Sequence, residues 1–229
     1  MKIGGLQKVS LIDYPGKISA IIFTQGCNFR CPYCHNPELV EKKLYRPCLP
    51  ENDILEFLAS RRGKLDAVTI TGGEPTLQED LLPFIGRIRQ LGFGVKLDSN
   101  GSRPDIIAHL AAKNLLDFIA MDVKAPAAKY PGMIKAAVPF DLIRESIRII
   151  LKSGLDHEFR TTVVSSKLSP ADILEISREI AGAKRYAIQR FEPRRTLNKR
   201  YLSETSYPDE ALLNIKKQLE KDIPLIVIR

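Results

Sequence analysis

The chain has 229 residues, 44% of them hydrophobic and 27% charged, which is typical of a globular protein. No apolar run approaches the length of a membrane span, and Gly, Gln, Lys and Asp interrupt the N-terminus where a signal peptide needs an apolar core. We therefore expect a cytoplasmic protein without membrane association. In that reducing compartment its four cysteines favour metal binding or catalysis over disulfides.

The net charge of +8 is partly concentrated between residues 185 and 200. The basic residues of this stretch are Arg185, Arg190, Arg194, Arg195, Lys199 and Arg200. We interpret the stretch as a solvated surface loop, with a docking surface for an acidic partner or a phosphorylated substrate as the alternative. Nucleic acid ranks last as a partner, because neither an aromatic platform nor a known binding module accompanies the charge.

Strands and helices alternate after an N-terminal arm, residues 1–17, which ends in the turn sequence Asp13-Tyr14-Pro15-Gly16. Mostly apolar runs predict strands over 18–24, 66–71, 94–98, 117–122, 157–164, 185–189 and 225–228. Periodic apolar residues predict helices over 53–60, from 81 to a stop at 92, and over 104–113, 141–152, 169–180 and 208–221. This order predicts an α/β fold, a parallel sheet covered by helices, in a single domain over 1–229.

The positions of the polar motifs distinguish an open sheet from a barrel. Each motif follows the C-terminal end of a predicted strand, at residues 27–34, 72–74, 98–101, 122–124 and 189–192. Barrels build their active sites from these ends of many strands, whereas an open sheet has one dominant crevice. Six βα units are too few for an eight-stranded barrel, so we predict a partial (β/α)6 TIM-like barrel.

The sequence TQGCNFRCPYCHNP follows the first of these strands and carries Cys27, Cys31 and Cys34 in a C-x3-C-x2-C arrangement. Three thiolates do not complete a tetrahedral zinc site, but they can hold three irons of a cubane iron–sulfur cluster and leave the fourth iron open. A structural zinc site completed by His35 or Cys48 is the alternative. His35 directly follows Cys34, which is awkward for ligation of the same metal, and Cys48 lies fourteen residues further on.

The cysteine loop and the later sequence Gly72-Gly73-Glu74-Pro75 together resemble the radical S-adenosylmethionine superfamily, over essentially the whole chain. Within it, QGCNFRCPYCHNP resembles the activating enzymes of glycyl-radical enzymes, such as the activase of pyruvate formate-lyase. KVSLIDYPGKIS is similar to the branch that activates anaerobic ribonucleoside-triphosphate reductase. The resemblance implies an oxidoreductase that cleaves S-adenosylmethionine reductively at a 4Fe-4S cluster and installs a glycyl radical on that partner through a 5′-deoxyadenosyl radical. A flavodoxin or ferredoxin would supply the electron.

Two other functions remain open at this point. One is a radical enzyme that acts directly on a small molecule or a peptide, although 229 residues leave little chain to cap a small-molecule pocket. The other is a non-catalytic iron–sulfur or zinc module that binds a partner.

The resemblance assigns roles to the residues of both motifs. Cys27, Cys31 and Cys34 would ligate the cluster, whose fourth iron would bind the amino and carboxylate groups of S-adenosylmethionine. The residues expected near the amino group are Gly72, Gly73 and Glu74. Glycine allows a close backbone approach to the ligand, and Glu74 would either contact the ammonium or fix its own loop. Tyr33 would lie beside the adenine or be a core aromatic, and Asn36 would shape the loop.

The sequence Asp98-Ser99-Asn100-Gly101 resembles the DTNG element of the family, with Ser99 in place of Thr. Asp98, Ser99 and Asn100 are candidate cofactor contacts. In the pyruvate formate-lyase activase, the matching Asp–Thr pair and a later Asp help to bind a monovalent cation, so Asp98, Ser99 and Asp122 form a candidate cation site. Asn100-Gly101 alone would indicate a plain turn.

Three further cofactor contacts follow from the resemblance. Lys124 would point at the cofactor, or else at solvent. Arg160 follows Phe159 in the fifth predicted strand, where burial requires a carboxylate partner. The family has a ribose-contacting His after its sixth strand, but this chain has Gln189 there, which we expect to hydrogen-bond in its stead. His109 and His157 are interpreted as structural.

Overall fold

The computed structural model describes residues 1–229 and contains one eight-stranded sheet whose strands lie in chain order. The strands are β1 (Ile3–Ser10), β2 (Ser19–Thr24), β3 (Ala67–Gly72), β4 (Gly94–Ser99), β5 (Phe118–Asp122), β6 (Asp156–Val163), β7 (Tyr186–Arg190) and β8 (Ile226–Ile228). Every neighbouring pair from β2 to β8 is parallel. The ends of the sheet, β1 and β8, do not pair with each other, so the barrel is incomplete. The predicted parallel α/β architecture is confirmed.

Eight helices connect these strands. They are α1 (Pro37–Val40), α2 (Glu51–Ala59), α3 (Leu81–Gln90), α4 (Pro104–Ala112), α5 (Tyr130–Ile134), α6 (Phe140–Lys152), α7 (Pro170–Glu179) and α8 (Asp209–Leu219). The six longer helices lie where the sequence predicts them, whereas α1 and α5 were not predicted, because four or five residues are too few to show a helical period. None of the helices combines the length and the apolar character that crossing a bilayer requires.

The N-terminal arm departs from the prediction. Residues 3–10 form β1, which pairs antiparallel with β2 in an irregular register. The sequence Ile3-Gly4-Gly5-Leu6 lacks the alternation that marks a strand, so its pairing depends on the adjacent β2. A Cβ on Gly4 would lie 2.6 Å from the Leu39 side chain, so glycine lets the arm pass close to the segment after the cysteine loop.

The sheet has one face covered by helices and one inner face. A cluster of 48 buried residues, including Val95 and Leu97 of β4, fills the space under the helices. Because side chains alternate along a strand, Lys96 and Asp98 lie on the inner face. A small apolar cluster of Tyr14, Ala67, Phe118 and Ala120 is separate from the main core. Lys96 and Asp98 make the inner face polar toward the C-terminal end of β4, where predicted site residues lie.

Candidate active site

A cavity of about 250 Å³ lies at the C-terminal ends of the strands. All the candidate catalytic and cofactor-binding residues predicted from the sequence line it: Cys27, Cys31, Tyr33, Cys34, Gly72, Gly73, Glu74, Asp98, Ser99, Asn100, Asp122, Lys124, Arg160 and Gln189. Asn36 also lines it. Residues 27 and 189 are far apart in the chain, and the barrel brings them to one cavity because parallel strands end at the same edge.

Five further residues line the cavity without having been predicted as cofactor contacts: Phe29, His35, Val40, Thr71 and Thr162. Thr162 follows Arg160 by two positions on β6, so strand alternation could have identified it from the sequence. Thr71 is the residue directly before the double glycine. Phe29 and Val40 carry no sequence signal beyond their proximity to the cysteines.

Hydrogen bonds shape the cysteine loop around Cys27. The Sγ of Cys27 accepts from the backbone N–H of Phe29 at 3.3 Å and from the Asn100 amide at 3.9 Å. Arg30 donates from Nη1 to the carbonyl oxygens of Cys27 and Phe29, at 2.6 and 2.8 Å. Asn100 also donates to Asn28 at 2.9 Å. The two donors to Sγ, from Phe29 and Asn100, favour a sulfur that carries negative charge, as a cluster ligand does.

Burial controls the protonation of the cysteines. It raises the pKa of Cys27 to about 12, with a smaller contribution from the Glu74 charge, and it raises the pKa of Cys31 to about 11. The pKa of Cys34 is raised for the same reason. In the protein alone these thiols are protonated at neutral pH, and ligation to a metal would displace the protons.

The two residues considered for a zinc site are engaged elsewhere. His35 stacks on Phe191 with ring centroids 5.4 Å apart, and its Nε2 lies 3.0 Å from the Glu192 carbonyl oxygen. Cys48 is exposed and donates to the Gln25 side chain at 3.5 Å. No three His, Cys, Asp or Glu side chains converge as they would around a single metal ion. Three buried or half-buried sulfurs on one cavity wall are instead a donor set that fits an iron–sulfur cluster.

The double glycine crosses the end of β2 in backbone contact. A Cβ on Gly73 would lie 2.1 Å from the carbonyl oxygen of Gly26, and one on Gly72 would lie 2.5 Å from the backbone nitrogen of Thr24. Gly72 has a φ of +113°, which other residues rarely adopt. The close backbone contacts thus require glycine at both positions, whether or not a ligand also approaches them.

Glu74 holds this crossing in place. Its Oε1 accepts from the backbone and hydroxyl of Thr76, at 3.1 and 2.6 Å, and from the Ser99 hydroxyl at 2.9 Å. Its Oε2 accepts from the Asn100 backbone at 2.6 Å. Burial raises the pKa of Glu74, and these hydrogen bonds partly offset the rise. Two of the four hydrogen bonds, from Ser99 and Asn100, connect the ends of β3 and β4, which favours a loop-fixing role.

Two carboxylates and three cationic side chains form an ion-pair network beside the cavity. Arg160 bridges the carboxylates, with Nε 2.8 Å from Asp122 and Nη1 2.9 Å from Asp98. Lys124 contacts Asp122 at 2.8 Å, and Lys96 contacts Asp98. Both Asp98 and Asp122 thus provide the carboxylate partner expected for Arg160. Burial would raise the pKa of both carboxyls, but their cationic neighbours outweigh it and hold each pKa below its ordinary value.

The basic stretch, residues 185–200, packs partly on the cysteine loop and is therefore not solvated along its whole length. Phe191 contacts Tyr33 edge to face with centroids 6.4 Å apart, and Arg195 pairs with Glu38 at 2.8 Å. The backbone N–H of Asn198 donates to the Pro32 carbonyl at 2.9 Å. Tyr33 is buried, and its hydroxyl has no hydrogen-bond partner although its ring lines the cavity. Tyr33 is therefore a buried aromatic that also lines the cavity, and its place beside the adenine stays a prediction.

Comparison with known proteins identifies the family. The sequence profile of the Radical SAM superfamily matches residues 21–185, well over half of the chain. The chain belongs to the radical SAM superfamily. That membership implies a 4Fe-4S cluster and S-adenosylmethionine, and it makes the protein an enzyme of the oxidoreductase type. The cavity fits both groups, with sulfur donors on one wall and charged and backbone groups on the others.

Three similar proteins show how this radical SAM chain relates to its family. A Methanocaldococcus jannaschii protein, provisionally named a glycyl-radical enzyme activating enzyme, is 36% identical over 99% of this chain and 95% of its own length. The 7-carboxy-7-deazaguanine synthase of Methanopyrus kandleri is 34% identical over 50% of this chain and 52% of its own. The structure of Streptococcus suis SuiB bound to S-adenosylmethionine superposes with a TM-score of 0.66 at 16% identity, over 89% of this chain and 48% of SuiB. This chain therefore spans about half of SuiB, and that likeness shows the fold.

Proposed function

We propose that this radical SAM enzyme installs a glycyl radical on a partner protein, an anaerobic ribonucleoside-triphosphate reductase. The observation that carries the proposal is the 36% identity to a provisionally named glycyl-radical enzyme activating enzyme across nearly all of both chains. A flavodoxin or ferredoxin in the cytoplasm as electron donor is part of the same proposal.

The surroundings of the cavity support a macromolecular substrate. A second depression of about 390 Å³, lined only by polar and charged residues, adjoins the cavity and shares His35, Thr162 and Gln189 with it. Its other lining residues are Arg190, Glu192, Arg194 and Arg195. Arg194 and Arg195 keep 84% and 63% of their side-chain surface exposed, so they remain available to a partner with an acidic surface.

The chain's own residues would divide the work as follows. Cys27, Cys31 and Cys34 would hold the cluster. The loop fixed by Glu74 would place backbone groups against the methionine part of S-adenosylmethionine. When bound, the cluster and S-adenosylmethionine supply a one-electron reductive cleavage to methionine and a 5′-deoxyadenosyl radical that abstracts a glycine hydrogen atom.

The ion-pair network around Arg160 would orient the cofactor and shield it from water. Arg160 and Lys124 present positive charge to the cavity beside the two aspartates. Tyr33 closes the wall near the basic stretch, and Gln189 lies at the shared edge with the polar depression. Gln189 accepts a weak hydrogen bond from Thr162 at 3.4 Å, so its amide N–H groups can serve a ligand.

The test is a mixed-protein assay. The reconstituted, reduced enzyme would be incubated under anaerobic conditions with S-adenosylmethionine and a candidate glycyl-radical enzyme, and electron paramagnetic resonance would be recorded. We expect a glycyl-radical signal on the partner that narrows when the partner carries α-deuterated glycine. The Cys31→Ala variant is the control and should give no signal. Consumption of S-adenosylmethionine without any radical on the partners tested would contradict the proposal.

A second candidate is action on a small molecule. The 34% identity to a 7-carboxy-7-deazaguanine synthase over half of the chain favours it specifically. Mass spectrometry of reactions with that enzyme's substrate class would decide between the two functions, because only this second function alters a small molecule other than S-adenosylmethionine without a partner protein.

A further inference from the structure

Lys96 is a charged residue in an unusual place. It lies on the inner face of β4, two positions before Asp98, and it is only 3% exposed. Its register neighbours are Thr69 of β3 and Phe118 of β5. Burying an ammonium group is costly unless it is paired, so its position requires a specific compensation.

Asp98 provides that compensation. The Lys96 ammonium donates its single protein hydrogen bond to Asp98 Oδ1 and lies 5.9 Å from the centroid of the Phe118 ring. Lys96 does not line the cavity, whereas Asp98 does. Lys96 therefore acts on the cavity through Asp98, from the side that faces the interior of the barrel.

With Lys96 included, protein cations contact all four carboxylate oxygens of the candidate cation site. Asp98 contacts Lys96 through Oδ1 and Arg160 through Oδ2. Asp122 contacts Arg160 through Oδ1 and Lys124 through Oδ2. The third candidate ligand, the Ser99 hydroxyl, donates to Glu74 and accepts from the Gly101 backbone.

The net charge of this network also argues against a bound monovalent cation. Three cationic side chains and two carboxylates give it a net charge of +1. Without Lys96 the network would be neutral, and an anionic group placed beside it would need a cation from solution. The monovalent cation expected from the family resemblance therefore does not fit these residues as they are arranged.

We propose that Lys96 is a built-in replacement for the monovalent cation, so that this enzyme binds S-adenosylmethionine without a requirement for K⁺ or Na⁺. The inference rests on the assignment of the cavity to S-adenosylmethionine. Lys96 is a positioning residue: it neutralises Asp98, and Asp98 with Asp122 holds the Arg160 guanidinium at the cavity wall.

The experiment measures binding without turnover. Equilibrium dialysis of labelled S-adenosylmethionine against the cluster-loaded, unreduced protein would be run in KCl, NaCl and choline chloride at one ionic strength. For the unaltered protein we expect dissociation constants within about twofold of each other. Lys96→Gln keeps an N–H donor for Asp98 but removes the charge, and it should bind about tenfold more weakly in choline than in KCl.

Two variants make the comparison specific. Lys184→Met removes a lysine whose aspartate partner, Asp156, is exposed, and it should show no cation response. Lys96→Met combined with Asp98→Asn restores the net charge of +1 and should also be indifferent to the cation. Absorbance of the cluster and the thermal midpoint would verify that each variant is loaded and folded.

The inference would be overturned if KCl strengthened binding to the unaltered protein by more than about fivefold, a result that needs no variant. It would equally be overturned if folded Lys96→Gln bound the same in every salt. Absence of binding in all salts would refute the assignment of the cavity and the inference with it, and that result is distinguishable from a cation effect.

Discussion

Gly73 lies where the loop after β3 crosses the end of β2. A Cβ at this position would be 2.1 Å from the Gly26 carbonyl oxygen, and backbone atoms cannot move away as a flexible side chain could. We expect Gly73→Ala to separate the two loops, to weaken S-adenosylmethionine binding by at least about tenfold and to lower the thermal midpoint. Calorimetric titration of the loaded protein and thermal unfolding measure the two effects.

Gly86→Ala is the matched control for this substitution. Gly86 lies in α3, and a Cβ there would meet nothing within 4 Å. Because alanine favours helix over glycine, this variant should be more stable by about 0.5–1 kcal/mol and should bind S-adenosylmethionine normally. Equal effects of the two substitutions would contradict the steric argument.

Asp122 makes stability depend on pH in the acid range. Burial would raise its pKa, but Arg160 and Lys124 hold the pKa well below the ordinary value of 3.8. The ionised carboxylate therefore stabilises the folded state above about pH 4, and this contribution is lost progressively as pH falls further.

The pH dependence is tested with urea unfolding of the cluster-free protein between pH 6 and 3. We expect the free energy of unfolding to fall below about pH 4 and to fall less steeply in Asp122→Asn, by up to about 1.4 kcal/mol per pH unit. Parallel curves for the two proteins would show that Asp122 does not contribute. Asp141, an exposed aspartate at the start of α6, provides Asp141→Asn as a control.

At the scale of elements, α7 begins with a complete capping box. The Ser169 hydroxyl accepts from the Asp172 backbone at 3.3 Å, and the Asp172 carboxylate accepts from the Ser169 backbone at 2.6 Å. Ser169→Ala should lower the free energy of unfolding by about 1 kcal/mol, because it leaves a backbone donor unpaired. Chemical denaturation measures this loss, and unchanged S-adenosylmethionine binding would confirm that α7 supports the scaffold only.

Elements with a strong period were predicted, and elements without one were not. Most of the parallel strands contain short apolar runs, and the six longer helices repeat their apolar residues at helical spacing. In contrast, β1 contains two adjacent glycines and becomes a strand through its pairing with β2. The helices α1 and α5 are too short to establish a period.

At the scale of the molecule, part of the net charge of +8 lies beside the cavity, on the exposed side chains of Arg194 and Arg195. If Arg194 and Arg195 dock an acidic partner, reversing both to Glu should reduce glycyl-radical formation by about tenfold or more at low salt. Cleavage of S-adenosylmethionine without the partner should be unchanged, because these side chains are exposed and outside the cofactor cavity. Radical yield and methionine release would be measured in parallel at two salt concentrations.

The matched control reverses two exposed cations on α6, Arg148 and Lys152, which lie away from the cavity. This variant changes the net charge by the same amount, so a general effect of charge would appear in both. Equal radical yields from the two variants would place the docking surface elsewhere.

The sequence by itself determined the chemistry of this protein. Cys27, Cys31 and Cys34 lie within eight consecutive residues, and Gly72-Gly73-Glu74 are contiguous, so local spacing reveals them without a structure. The alternation of apolar strands and amphipathic helices likewise fixed the parallel α/β architecture, because both signals are periods along the chain.

Only the tertiary structure decided how the distant polar residues pair. Lys96 gave no sequence signal, yet it forms an ion pair with Asp98, the contact on which the proposed replacement of the cation rests. Arg160 bridges carboxylates that lie 38 and 62 positions away in the chain. Such pairings depend on strand register and on which face of the sheet each side chain occupies, and a linear sequence specifies neither until the strands meet.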